Sequence, residues 1–278
     1  MLTIDSTLKL RSGHTMPLLG LGVFQIGSHE ACVAQVKRAL EAGYRHIDTA
    51  RGYQNEAAVG QAVRESGITR ESIFVTTKVM SQDFGPEQTK AAVHESLERL
   101  DLDYIDLYLL HWPVREHTEE AWESLRAMRD GGQLRSIGVS NFTVRRYEEQ
   151  FLPKVDELPV CNQIERHPFF AQNELVDFNA QRDIVTVAYS PLARTEGMDH
   201  PTLVAIAQRH GKTSAQVMLR WQLQQGVSVI PKSSSPERLR ENADLFDFDL
   251  SDAEMAQIDA LNDPEGSVID WRPEDNWF

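Results

Sequence analysis

Short runs of β-branched and apolar residues alternate along the chain with longer stretches whose apolar positions recur at helical spacing. The apolar runs are Leu18–Phe24, Tyr44–Asp48, Ile73–Lys78, Tyr104–His111, Leu134–Ser140, Pro159–Ile164, Ile184–Tyr189 and Val227–Lys232. Helical patterns occupy His29–Ala42, Glu56–Ser66, Glu87–Leu100, Glu119–Asp130, Asn173–Arg182 and Thr213–Gln225. Strands separated by helices pair in parallel, with the helices outside the sheet. Eight such runs in 278 residues predict an α/β fold, a closed (β/α)8 TIM barrel. A doubly wound sheet fits less well: Gly20-Leu21-Gly22 leads to Gln25, where a GxGxxG turn needs glycine.

Two features lie outside the alternation. Leu8-Lys9-Leu10, a Ser12-Gly13 turn and Thr15-Met16-Pro17 predict an N-terminal β-hairpin that could close the barrel floor. Ser251 with Glu254 three positions later forms a capping box, which predicts an extra C-terminal helix over Ser251–Leu261. A tail with Trp271 and Trp277 follows and reads as irregular surface chain. Residues 1–278 read as one domain, with the barrel core at about 18–262.

Composition narrows the class. Apolar residues at 41% and charged residues at 25% are globular values and exclude disorder or a fibrous rod. No apolar run approaches the ~18 residues of a membrane span, and the N-terminus lacks a secretory h-region. A net charge of −14 repels a phosphate backbone, so no nucleic acid and no membrane partner is expected. Cys32 and Cys161 make neither a disulfide framework nor a metal pattern, and read as reduced, buried thiols of a cytoplasmic protein.

The ends of the strands carry the chemistry, because a barrel places its site at the C-terminal mouth. The second to fifth runs end in Asp48, Lys78, His111 and Ser140-Asn141. The sixth carries Asn162-Gln163, the seventh Tyr189-Ser190 and the eighth Lys232-Ser233. Lys78 beside Asp48 forms an ion pair; a cation near the Tyr53 phenol lowers its pKa and suits it to donate a proton to a carbonyl oxygen. His111 could donate a hydrogen bond to the same oxygen. No metal site is expected, since His46 and His111 lie on different strands without a carboxylate cluster. A second group, Lys232-Ser233-Ser234-Ser235-Pro236-Glu237-Arg238, gathers two cations and three hydroxyls at a helix start that Ser235 can cap. It suits a phosphate monoester.

These residues resemble the aldo-keto reductase superfamily. The likeness rests on Asp48-Thr49-Ala50, Tyr53 and Asn55-Glu56; on Leu109-Leu110-His111-Trp112-Pro113; and on Ile137-Gly138-Val139-Ser140-Asn141-Phe142. Asn162-Gln163-Ile164-Glu165 and Ile230-Pro231-Lys232-Ser233 follow in family order. The chain is most similar to short bacterial members of the 2,5-diketo-D-gluconate reductase type. The resemblance implies an NADPH-dependent, monomeric enzyme reducing a small-molecule aldehyde or ketone. Tyr53 would be the general acid, Lys78 with Asp48 would depress its pKa, and His111 would orient the carbonyl. Ser140, Asn141 and Gln163 would hold the nicotinamide carboxamide, and Tyr189 would stack on the ring, with Ser190 and Leu192 beside it. Lys232, Ser233 and Arg238 would take the adenosine 2′-phosphate, with Glu241 and Asn242 near the adenine.

The chain departs from this pattern at Met80, where many relatives carry Trp, and in the short stretches Pro113–Thr118 and Ala193–His200. An open pocket lined by Phe24, Trp112 and the tail tryptophans is expected. Two other functions compete: a Schiff-base aldolase using Lys78, and a cofactor-binding sensor or regulatory subunit with a relic site.

Overall fold

The structure is a computed structural model that describes residues 2–114 and 116–269. The N-terminal hairpin pairs β1 (Thr7–Lys9) with β2 (Thr15–Pro17), antiparallel. The barrel strands are β3 (Leu21–Gly22), β4 (His46–Asp48), β5 (Phe74–Val79), β6 (Ile105–Leu110), β7 (Leu134–Ser140), β8 (Cys161–Glu165), β9 (Val185–Tyr189) and β10 (Ser228–Val229). They form one parallel sheet, each strand beside its sequence neighbour. Bridges Leu19↔Val229 and Gly22↔Lys232 join the first strand to the last and close the barrel.

The helices are α1 (His29–Glu41), α2 (Glu56–Arg64), α3 (Pro86–Leu100), α4 (Thr118–Asp130), α5 (Val144–Arg146), α6 (Asn173–Ala180), α7 (Pro201–His210), α8 (Ser214–Gln224), α9 (Pro236–Glu241) and α10 (Asp252–Asp259). Local chemistry sets their starts. Ser28 caps α1, Pro86 opens α3, and capping boxes at Thr213/Gln216 and Ser251/Glu254 begin α8 and α10. Helix α7, and α5 with its continuation through Lys154, lie outside the predicted set.

The first and last barrel strands are much shorter than the apolar runs that predict them. At this seam the chains approach too closely for an ordinary ladder of side chains. A Cβ on Gly22 would lie 2.9 Å from the Ile230 carbonyl oxygen. Pairing there rests on three backbone bonds, Val229 N–H to Leu18 O and Gly20 N–H to Val229 O at 2.9 Å each and Gly22 N–H to Pro231 O at 3.2 Å.

Phe74, Leu107, Leu109, Cys161, Val187 and Ile230 form one buried cluster with Leu10 and Met16. Met16 lies in β2 and Leu10 in the turn between β1 and β2, so the expected floor is present. The larger cluster, including Val36, Val59, Val93, Trp122 and Leu219, packs the helices against the sheet. Cys32 and Cys161 are free and buried, and burial raises the Cys32 thiol to about 11. No helix among the described residues is long and apolar enough to cross a membrane.

Candidate active site

Asp48 ends β4, Lys78 lies one residue before the end of the adjacent strand β5, and both are almost fully buried. Lys78 Nζ donates to Asp48 Oδ1 at 2.6 Å and to the Thr49 carbonyl at 2.7 Å. Gln163, across the barrel on β8, donates its Nε2 to Asp48 Oδ2 at 2.7 Å. Burial works against the Lys78 ammonium, but the Asp48 carboxylate and the Tyr53 phenol outweigh it and its pKa ends above the ordinary value. A lysine held charged in this way is a poor Schiff-base nucleophile.

Tyr53 closes the short helical turn Arg51–Tyr53 that follows β4. Its ring centre lies 5.0 Å from Lys78 Nζ and 5.8 Å from the His111 ring, edge-on. The expected depression of the Tyr53 pKa needs correction. Burial raises it and is the largest effect; Lys78 pulls the other way, and the result lies above the ordinary phenol value. Tyr53 therefore keeps its proton at neutral pH, as a proton donor must.

His111, one residue past β6, is shifted well below the ordinary imidazole value by burial, with Lys78 adding to the shift. It is neutral at neutral pH, and a neutral imidazole can still donate one hydrogen bond. His46, on the same face of β4 as Asp48, donates to or accepts from Thr76 Oγ1 at 2.9 Å and is lowered by burial to about 3. A base depressed in the folded state stabilises the fold above its unfolded pKa of about 6.5 and loses that contribution as pH falls toward its folded value. We expect stability in urea to fall below pH 6.5, with His46 contributing about 1.4 kcal/mol per pH unit. His46→Gln should flatten the slope between pH 6 and 4 by about one proton; parallel slopes would mean that His46 is already charged in the folded protein.

The polar groups at the ends of β7 to β9 are tied to one another. Ser140 Oγ donates to the Gln163 carbonyl at 2.8 Å. Asn141 Nδ2 donates to the His111 carbonyl and to Ser140 Oγ, each at 3.0 Å, and Asn141 Oδ1 accepts from the Tyr189 hydroxyl at 2.7 Å. With its nitrogen committed to Asp48, Gln163 has its amide oxygen left to offer a ligand.

A cavity of about 1040 Å³ joins these groups to the basic segment. Phe24, Asp48, Tyr53, His111, Trp112, Ser140, Asn141, Gln163, Tyr189, Ser190, Leu192, Lys232, Ser233, Arg238, Glu241 and Asn242 all border it. Lys78 alone of the predicted set does not, lying behind Asp48 and Tyr53. Phe24 is 44% exposed at the mouth, its ring 4.9 Å from that of Tyr53. At the far end Ser235 caps α9 by accepting from Arg238 N–H at 3.3 Å. Ser233 Oγ is engaged by the Ser235 backbone, and Glu241 accepts from Thr213 Oγ1 at 2.6 Å. Lys232 and Arg238 form no ion pair among the described residues.

Gln25, Arg194, Thr195, Met198 and Ile269 also line the cavity and were not legible as site residues. Met80, at the position where many relatives carry Trp, lines it as well. The tail tryptophans lie outside the described residues.

The barrel's strand ends bring Asp48, backed by the buried Lys78, together with the Tyr53 phenol and the His111 imidazole at one cavity, the layout of a small-molecule site. The chain matches the aldo/keto reductase family over residues 18–263. Glyoxal reductase of Bacillus subtilis (strain 168) is 46% identical over 263 residues, covering 95% of each chain. Morphine 6-dehydrogenase of Pseudomonas putida is 45% identical over 270 residues, covering 92% of this chain and 90% of that one. The crystal structure of an aldo/keto reductase from Brucella melitensis superposes with a TM-score of 0.89 at 45% identity, covering 92% of this chain and 99% of that one. This chain belongs to the aldo/keto reductase family.

Proposed function

We propose that the protein is an NADPH-dependent reductase of aldehydes and ketones in which Tyr53 is the general acid. One observation carries the reading: the Tyr53 phenol stands at the wall of the cavity beside the His111 ring, with the buried Lys78–Asp48 pair behind it. At about 1040 Å³ the cavity reaches the upper end of the ~300–1,000 Å³ usual for small-ligand sites, which leaves room for a dinucleotide beside a substrate.

The residues present fit a nicotinamide dinucleotide. The free oxygen of Gln163 can accept from a carboxamide N–H, and Tyr189 offers an apolar ring. Lys232 and Arg238, with the capped start of α9, would take a 2′-phosphate. When bound, the cofactor supplies hydride. The chain's own work is the proton. Tyr53 donates its hydroxyl proton to the carbonyl oxygen as that oxygen gains negative charge. Lys78 stabilises the phenolate left behind, and Asp48 holds Lys78 in place. His111 donates a hydrogen bond to the same oxygen and orients the carbonyl.

Substrates under this reading are small carbonyl compounds: methylglyoxal, keto-sugar acids such as 2,5-diketo-D-gluconate, and general aldehydes. The glyoxal reductase relative supports the smaller dicarbonyls. A monomer in the cytoplasm goes with the same reading. Absorbance assays of NADPH consumption with these carbonyls test it, and no turnover of any would move weight to the sensor. For Arg238→Ala, losing one charge-assisted contact should raise KM for NADPH by roughly 10- to 100-fold and leave NADH unchanged. An unchanged ratio would overturn the phosphate assignment.

A further inference from the structure

The mechanism above leaves one buried carboxylate at the mouth without a role. Glu165 ends β8 two residues after Gln163, so both side chains leave the strand on the same face. It is buried, and burying a carboxylate is costly unless donors surround it. The donors come from the far end of the chain. Ser267 Oγ donates to Glu165 Oε2 at 2.6 Å, and Val268 N–H donates to Oε1 at 2.8 Å. The His167 ring Nε2 lies 3.2 Å from Oε1.

The C-terminal segment is seated against the same loop at three further points. Asn262 Oδ1 accepts from Ala171 N–H at 2.8 Å, and Asp263 N–H donates to the Phe169 carbonyl at 3.0 Å. A Cβ on Gly266 would lie 2.0 Å from that carbonyl oxygen, so only glycine permits the approach. One residue beyond the carboxylate's grip, Ile269 borders the cavity.

We propose that Glu165 is a specificity-determining positioning residue: its carboxylate latches residues 267–268 so that Ile269 forms an apolar wall for the substrate. The proposal rests on the carbonyl-reductase reading and deepens it. A substrate large enough to reach Ile269 gains from the wall, and a dicarbonyl of three carbons gains little. Glu165 acts through the segment and does not itself border the cavity.

The test compares 4-nitrobenzaldehyde with methylglyoxal in the full-length enzyme, for wild type, Ser267→Ala, Glu165→Gln and Ile269→Ala. Each variant is expected to raise KM for the aromatic aldehyde by about fivefold, the scale of losing part of one aliphatic contact. Ser267→Ala and Glu165→Gln should leave KM for methylglyoxal, kcat and NADPH affinity at wild-type values. Equal KM changes for both aldehydes, or a shift in Ile269→Ala without one in Ser267→Ala, would overturn the latch. A lower Tm with no split between substrates would show a purely structural carboxylate and overturn it as well. If Glu165→Gln fails to fold, Ser267→Ala decides. Wild type that reduces neither aldehyde would instead defeat the carbonyl-reductase reading.

Discussion

Tyr53→Phe is expected to cut kcat by about 10²–10⁴-fold while leaving NADPH affinity unchanged. The substitution removes one hydroxyl and keeps the ring that packs against Phe24 and faces His111, so the fold and cavity survive. What is lost is the proton that carbonyl reduction requires. His111 cannot readily replace it, because burial keeps the imidazole neutral and its remaining N–H is far less acidic than a phenol beside an ammonium. Steady-state kinetics with fluorescence titration of NADPH separates the two effects. A loss in kcat of less than tenfold would assign the proton to another group.

Lys78→Met should be the most destabilising of the site substitutions. Methionine can follow the lysine stem, but it abandons Asp48 in the interior with Gln163 as the single donor named above. Breaking one half of a buried ion pair costs about 3–5 kcal/mol, because the remaining charge has lost both water and its partner. The loss should depend on pH. Without Lys78, burial of Asp48 is opposed by the Gln163 hydrogen bond named above, and its folded pKa rises further above its unfolded value. For an acid raised in this way, the variant is most stable at low pH and weakens as pH rises through the window between the two values. Urea denaturation of wild type and variant at pH 5 and pH 8 checks this: the gap should be wider at pH 8. A second substitution, Asp48→Asn, should recover part of the stability without restoring turnover. A gap that does not change with pH would mean that Asp48 is not the unpaired charge.

Much of this site was legible in the chain because a barrel converts sequence order into spatial order. Asp48, Lys78 and His111 end consecutive strands, so their proximity followed from alternation and from the rule that strand ends gather at one mouth. The capped turn at Ser235 was legible for a local reason: a cap and its helix lie within four residues. Other features were not legible. The net direction of the Tyr53 pKa depends on how completely the ring is buried, and residue types alone reveal the lysine but not the burial. The Gln163–Asp48 bond crosses the barrel between residues 115 apart. Glu165 reads as one more polar strand end, and nothing near it in sequence points to Ser267, 102 residues away. The helix α7 carries Leu203, Ile206 and Ala207 at helical spacing, but His200, an uncommon cap, opens it.

The thin seam between β3 and β10 gives cofactor binding a mechanical side. Gly22 and Lys232, which meet across that seam, both border the cavity. This junction is carried by two bridges and three backbone bonds and has no side chain at Gly22, so breathing motions should concentrate here. A dinucleotide lying from Tyr189 to Arg238 would run along this junction like a splint. Under the proposed reading, part of its binding free energy is then spent closing the barrel. Affinity for the cofactor and resistance of the fold to opening become two readings of one equilibrium.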